Sequence, residues 1–346
     1  MRVIHGIPLA PWTTLNIGGP AASFAELRDA ADFPDFVAHT AARADGRTPV
    51  CLGGGSNVLV GDAGCSVPVL RMATRGVRIL GDRGDGRVLV RVEAGHPLWE
   101  LVDTTVAEGL IGMEMLAGIP GTTGATPVQN VGAYGQEIAD TLVEVTAWDW
   151  RAGREVVLDA AACGLGHRTS VFKGSRRWTL LSLLFALRRS PLSAPVGYRS
   201  VAEELDVAVG ERVPAADAAR AVLAVRRRKG MVLDFCDVDR RSVGSVFLSP
   251  EVTAAQIEGL RELDAPVNRF PDGSTRVSAS WLIRRAGFGL NHPVAKGVRV
   301  SSLHYTLVAD EGASAASFAE AVDTVLHEVR RRTGVTLTPE IDFIGD

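Results

Sequence analysis

The sequence predicts an α+β fold built from several small sheets. Three observations carry this. Short β-like runs recur through the first half of the chain. Helical stretches crowd toward the C-terminal third. Two glycine-rich segments break the pattern between strands. At 346 residues the chain exceeds one ordinary hydrophobic core, so two or three domains are expected.

Taken in order, residues 49–52, 58–60 and 67–70 read as strands, and 30–44 as a helix with apolar residues on one face. Asp85-Gly86 between the apolar runs 77–80 and 88–92 is a hairpin signal. Residues 96–109 read as a helix stopped by glycine. Strands are expected near 143–148, 155–158 and 180–188. A helix over 214–229 starts at Pro214 and stops at Gly230. Beyond it, short loops mix with helices near 254–263, 279–286 and 317–332.

Hydrophobic content of 46% against 22% charged residues suits a soluble globular protein. The formal net charge of −3 argues against nucleic acid as the main partner, so an anionic ligand would need local positive clusters. The opening MRVIHGIPLAPW shows no apolar signal-peptide core, and the apolar run 180–187 is too short to span a bilayer. A cytoplasmic protein without a membrane partner is expected. The four cysteines, Cys51, Cys65, Cys163 and Cys236, lack C-x-x-C spacing and read as buried free thiols, with no metal site.

The segment 118–136, GIPGTTGATPVQNVGAYGQ, carries too much glycine and proline for a regular helix or strand. Its bare backbone amides suit close approach to a phosphate or a flat cofactor ring; the alternative is a turn-rich surface loop. A second segment, LGGGSNVLV from Leu52, follows a strand, and its three glycines can form a phosphate-binding nest with Ser56 and Asn57 as added donors. It is neither G-x-G-x-x-G nor a P-loop. Positive charge clusters at Arg226, Arg227, Arg228 and Lys229, where a helix C-terminus favours cations and a diphosphate could also bind. HRTSVFK from His167 is a second cluster, whose arginine could hold a carboxylate bidentately.

In order, GGGSN, GIPGTTGATPVQNVGAYGQ, HRTSVFK, RRRKGM, VGSVF, SASWLI and LTPEIDFIG resemble the UDP-N-acetylenolpyruvoylglucosamine reductase family, flavoenzymes of peptidoglycan precursor synthesis. The similarity runs from Thr14 to Gly345. It implies a two-part FAD-binding fold, shared with vanillyl-alcohol-oxidase-like enzymes, plus a C-terminal α+β substrate-binding domain. Residues 1–75 with 340–346 would form the first FAD-binding subdomain, 76–225 the second, and 226–339 the substrate domain. The resemblance also implies non-covalent FAD, NADPH as reductant, a nucleotide-sugar substrate and a monomer.

The implied chemistry is hydride delivery to the β-carbon of an enol ether, followed by protonation at the α-carbon. The family's arginine, serine and glutamate match Arg168, Ser245 and Glu340. Arg168 would hold and polarise the substrate carboxylate. Glu340 would act on the same group, for which a neutral acid with raised pKa would suit. Ser245 would deliver the proton. Gly53, Gly54, Gly55, Ser56 and Asn57 match the pyrophosphate turn. Gly121, Thr122, Thr123, Gly124, Ala125, Thr126, Gln129, Asn130 and Gly132 match the flavin loop. Tyr134, Lys229 and Ser249 match substrate-side positions, and Tyr198 matches a capping tyrosine on the extra loop of the type I subgroup. Outside the resemblance, these residues read as a turn serine, surface charges and half-buried loop aromatics.

The chain departs from the family pattern at several positions. His167 stands where a tyrosine is usual, Ser249 where an asparagine contacts uridine, and Leu303 where lysine is frequent. Asp310 replaces a common asparagine, and Asp342 an arginine of some members. Two further readings therefore stand beside the reductase: the same chemistry on another enolpyruvyl or nucleotide-sugar substrate, and a non-catalytic flavin- or ligand-binding protein. Retention of Arg168, Ser245 and Glu340 opposes the last.

Overall fold

The computed structural model describes residues 1–42, 46–233, 238–270 and 273–345. These divide into two compact units. The first holds residues 1–7, 21–55 and 66–233; the second holds 8–20, 56–65 and 234–346. The chain passes from one to the other between Gly55 and Ser56, inside the first glycine-rich segment.

The first unit is built on a six-stranded antiparallel sheet. Its path runs Arg154–Asp159, Leu142–Asp149, Trp178–Arg189, Arg87–Glu93 and Val77–Asp82, and Leu110–Ile111 pairs with the end of Trp178–Arg189. Period-2 patterning fixes its faces. Val88, Val90 and Val92 are buried while Arg87, Leu89, Arg91 and Glu93 on the other face are half-buried. The predicted hairpin is present: Gly86 takes φ +78°, and the Asp85 carboxylate accepts the Arg87 amide at 3.1 Å. Helix Leu98–Ala107 buries Leu98, Leu101, Val102 and Thr105, a spacing that makes one apolar face, and Gly109 ends it at φ +68°. Helix Ala215–Arg228 buries Ala218, Ala221, Val222 and Val225 the same way.

A second sheet follows the path Val3–Ile4, Pro20–Leu27, Cys65–Met72 and Val50–Leu52, with Ile7–Pro8 paired to Pro20–Leu27. Three of these five strands lie outside the sequence expectation. Pro20–Leu27 reads PAASFAEL, without one β-branched residue, so propensity gives no signal. The expected helix over 30–44 is a 3-10 turn, Ala30–Asp32, followed by an α-helix, Phe33–Ala41; Ala44 lies outside the described residues. Cys163 is a buried free thiol, Cys65 is buried, Cys51 is exposed, and Cys236 lies outside the described residues.

One buried carboxylate ties the first unit together. Glu114 is fully buried; one of its oxygens accepts the Gly112 amide at 2.6 Å and the other the Ala194 amide at 2.7 Å. It thereby anchors the loop leading to Tyr198. Glu114→Gln turns one acceptor into a donor facing an amide, so a loss of about 1–3 kcal/mol is expected, read by chemical denaturation.

The second unit packs helices Ala279–Arg285 and Ala315–Thr333 with a three-stranded sheet, Pro293–Ala295, Val298–Val300 and Leu307–Ala309. Ser314 and Ser317 form a reciprocal cap on the long helix, and both oxygens of Asp62 accept its first amides, Ala315 at 2.8 Å and Ala316 at 2.9 Å. Phe247–Leu248 pairs with Thr338–Pro339, and Asp342–Ile344 lies parallel to Val58–Val60. Among the described residues no helix is long and apolar enough to cross a membrane.

Candidate active site

In the first unit the two glycine-rich segments press against each other. A Cβ on Gly53 would fall 2.5 Å from the Thr122 hydroxyl, and one on Gly54 would fall 2.8 Å from the Gly121 Cα. Gly55 takes φ +64°. At Gly54 the neighbour is backbone, so only glycine fits there, while Gly53 packs against the Thr122 side chain. Gly54 and Ala125 are exposed, so the paired loops present bare backbone with small side chains. That surface fits a flat or diphosphate-bearing cofactor such as FAD.

Segment 118–136 is more ordered than its composition suggests. Thr123–Gln129 forms a 3-10 helix with Pro127 inside, and Gly132–Ala133 pairs with Gln136–Glu137. The 3-10 helix is tied to the loop before helix Leu98–Ala107. The Thr123 amide and hydroxyl both donate to the His96 carbonyl, at 2.7 and 2.9 Å, and the Gly124 amide donates to the Ala94 carbonyl at 2.7 Å. These ladder bonds replace the regular periodicity that glycine and proline deny. Asn130 caps the helix at φ +44°; its side chain accepts the Ala139 amide at 2.9 Å and donates to the Gly166 carbonyl at 3.1 Å.

The bond to Gly166 leads to Arg168. Gly166 and Thr169 bridge each other, leaving His167 and Arg168 at a tight hairpin tip. The Arg168 guanidinium donates to the carbonyls of Asn130, at 3.1 Å, and Gly132, at 2.8 Å. Among the described residues seven that are not glycine have positive φ, and five of these are Asn or Asp, which tolerate it. The other two are Tyr134, at +51°, and Arg168, at +54°. Left-handed backbone at a tyrosine and an arginine costs energy that the surrounding hydrogen bonds must offset.

Tyr134 meets Tyr198 edge to face with centroids 5.6 Å apart, and the Lys229 ammonium lies 6.0 Å from the Tyr134 ring. Desolvation, then the charges of Arg226 and Arg228, holds the Lys229 pKa below the usual lysine range. Arg226 is buried, and its guanidinium donates to the Met231 carbonyl at 2.8 Å. Gln129, half-buried on the 3-10 helix, accepts a 3.3 Å bond from Lys173.

The second unit gathers a different set. The Glu340 amide donates to the Val246 carbonyl at 2.8 Å, next to exposed Ser245. The Asn57 side chain donates to the Glu340 carbonyl at 3.2 Å, and the Asn57 carbonyl accepts the Asp342 amide at 3.0 Å. Ser56, half-buried, directly precedes Asn57. Ser245, Glu340 and Asn57 thus come together from widely separated sequence. Ser249 is exposed beyond strand Phe247–Leu248, and its hydroxyl accepts the Ala279 amide at 3.4 Å, at the start of a helix.

Sequence reasoning did not find Thr306, whose hydroxyl bonds the peptide groups on both sides of Ser245. Its only signal would have been a buried polar residue just before a strand. The structure also accounts for one departure: both Asp310 oxygens accept from the Arg299 Nε at 3.1 Å, so its charge is balanced within the chain.

Comparison with known proteins bears on the fold and the family. A family model for an FAD-binding domain matches residues 22–159, and one for the UDP-N-acetylenolpyruvoylglucosamine reductase C-terminal domain matches 237–344. The chain is 46% identical to UDP-N-acetylenolpyruvoylglucosamine reductase of Salinispora arenicola over 96% of this chain and 93% of that protein. It is 44% identical to the Saccharopolyspora erythraea protein of the same name, covering 97% and 94%. UDP-N-acetylenolpyruvylglucosamine reductase from Thermus caldophilus shares the fold, with a TM-score of 0.67 at 24% identity over 99% of each chain. The fold is therefore that of an FAD-binding-domain protein with an added C-terminal domain of mixed helices and strands. Within that class, the chain belongs to the UDP-N-acetylenolpyruvoylglucosamine reductase family.

Proposed function

We propose that the chain reduces UDP-N-acetylglucosamine enolpyruvate to UDP-N-acetylmuramate, with non-covalent FAD as cofactor and NADPH as reductant, in peptidoglycan precursor synthesis. The observation that carries this is near-full-length identity of 46% to a reductase of that name. FAD supplies the hydride chemistry. The two glycine-rich loops, Gly53 to Gly55 and Gly121 to Thr126, would hold it, with Gln129, Asn130 and Gly132 continuing that surface. Arg168, its plane set by two carbonyls, holds the substrate carboxylate. Glu340 acts on the same carboxyl group. Ser245 gives a proton to the α-carbon. Tyr134, Tyr198 and Lys229 receive the nucleotide-sugar, with Lys229 on its diphosphate, and Ser249 contacts the uridine part. The enzyme acts as a monomer in the cytoplasm.

The purified protein should be yellow, release FAD on acid precipitation, elute as a monomer and oxidise NADPH only with UDP-N-acetylglucosamine enolpyruvate. Colourless protein that cannot be reconstituted rejects the reading. Flavin reduction by NADPH without turnover of that substrate points instead to a different enolpyruvyl or nucleotide-sugar substrate. The lowered Lys229 pKa gives a pH signature. Only the ammonium binds a diphosphate, so KM for substrate should rise with pH at a lower pH than an ordinary lysine would allow. Lys229→Arg should flatten that rise, because a guanidinium stays charged.

A further inference from the structure

We infer that Thr306 is a positioning residue for proton delivery by Ser245, an inference that rests on the function proposed above. Thr306 is 3% exposed and directly precedes strand Leu307–Ala309. Its hydroxyl accepts the Val246 amide at 3.2 Å and donates to the Gly244 carbonyl at 2.6 Å. One side chain thereby spans the two peptide groups that flank Ser245. A hydroxyl is the smallest group that can donate and accept at once. The two bonds form a chain, amide to hydroxyl to carbonyl, in which each member polarises the next.

The rest of the turn is held just as closely. Gly244 takes φ +71°, and its amide donates to the Ser242 hydroxyl at 3.0 Å. Ser242 bridges Val308, two residues beyond Thr306. The Val246 carbonyl accepts the Glu340 amide at 2.8 Å. Val246 is therefore fixed through its N–H by Thr306 and through its C=O by Glu340, while the Ser245 side chain between these anchors stays exposed. A serine is a weak acid, so its contribution depends on placement. Displacement of a reacting group by about 1 Å can cost roughly 100-fold in rate.

The test separates the two half-reactions of the FAD-loaded enzyme. Thr306→Val keeps the shape and removes both bonds. It should leave flavin reduction by NADPH unchanged and slow flavin reoxidation by substrate roughly 10- to 100-fold. Thr306→Ser, which keeps the hydroxyl, should restore reoxidation to near the wild-type rate. In a Ser245→Ala background, Thr306→Val should cost nothing further, because both changes remove one function. Equal loss in both half-reactions, or full additivity with Ser245→Ala, overturns the inference by making Thr306 merely structural. Wild-type reoxidation in Thr306→Val with slow Ser245→Ala also overturns it but leaves the Ser245 role standing. Fast reoxidation in Ser245→Ala overturns both. If Thr306→Val folds poorly, Thr306→Ala removes the hydroxyl without adding bulk and carries the same comparison.

Discussion

Ser245→Ala is expected to leave flavin reduction by NADPH nearly intact and to slow reoxidation by substrate by about 10²–10⁴-fold, the usual worth of a positioned acid. Stopped-flow absorbance of the flavin resolves the two steps. The asymmetry follows from chemistry: hydride transfer into the cofactor needs no proton from Ser245, whereas completing the substrate does. Ser245 is exposed and its backbone is anchored on both sides, so alanine should leave the turn intact. Equal slowing of both steps would reject Ser245 as the donor.

Arg168 should give the second large effect, with a signature in stability as well as rate. Arg168→Ala removes the carboxylate clamp, and substrate-dependent reoxidation should fall by about 10²–10³-fold. Arg168→Lys should recover little, because a point charge cannot hold two carbonyls and a carboxylate in one plane. Arg168 sits at φ +54°, where alanine is strained and glycine is not. Arg168→Gly should therefore be more stable than Arg168→Ala by about 1–2 kcal/mol, although both lose the carboxylate clamp. Thermal denaturation of the two apoproteins measures this difference. Equal stabilities would show that the hairpin tip relaxes out of the left-handed region.

Some of this was legible in the sequence. The hairpin around Asp85-Gly86 was readable because alternation and turn chemistry agree there. Helices Leu98–Ala107 and Ala215–Arg228 were readable from their apolar spacing and terminal glycines. Strand Pro20–Leu27 was not, since small residues with no β-branching are recruited by tertiary pairing alone. The 3-10 helix Thr123–Gln129 was hidden because its support comes from the carbonyls of Ala94 and His96. The candidate site divides in the same way. The glycine loops announced themselves by composition. Arg168, Ser245 and Glu340 were recognisable only through an ordered set of motifs, because each alone looks ordinary. Thr306 and Glu114 stood out little, since each makes a hydrogen bond to a partner about 60 to 80 residues away, Thr306 to Gly244 and Glu114 to Ala194.

The parallel pairing of Asp342–Ile344 with Val58–Val60 has a consequence for synthesis. Asn57 and Glu340, which this pairing brings together, are 283 residues apart. At a translation speed of about 5–20 residues per second, roughly 15–60 s separate the emergence of the two. Throughout that interval the strand after the glycine turn has an open edge and waits for its partner. The neighbourhood of Glu340 can form only after that interval, and the open edge is where a chaperone would have most to protect.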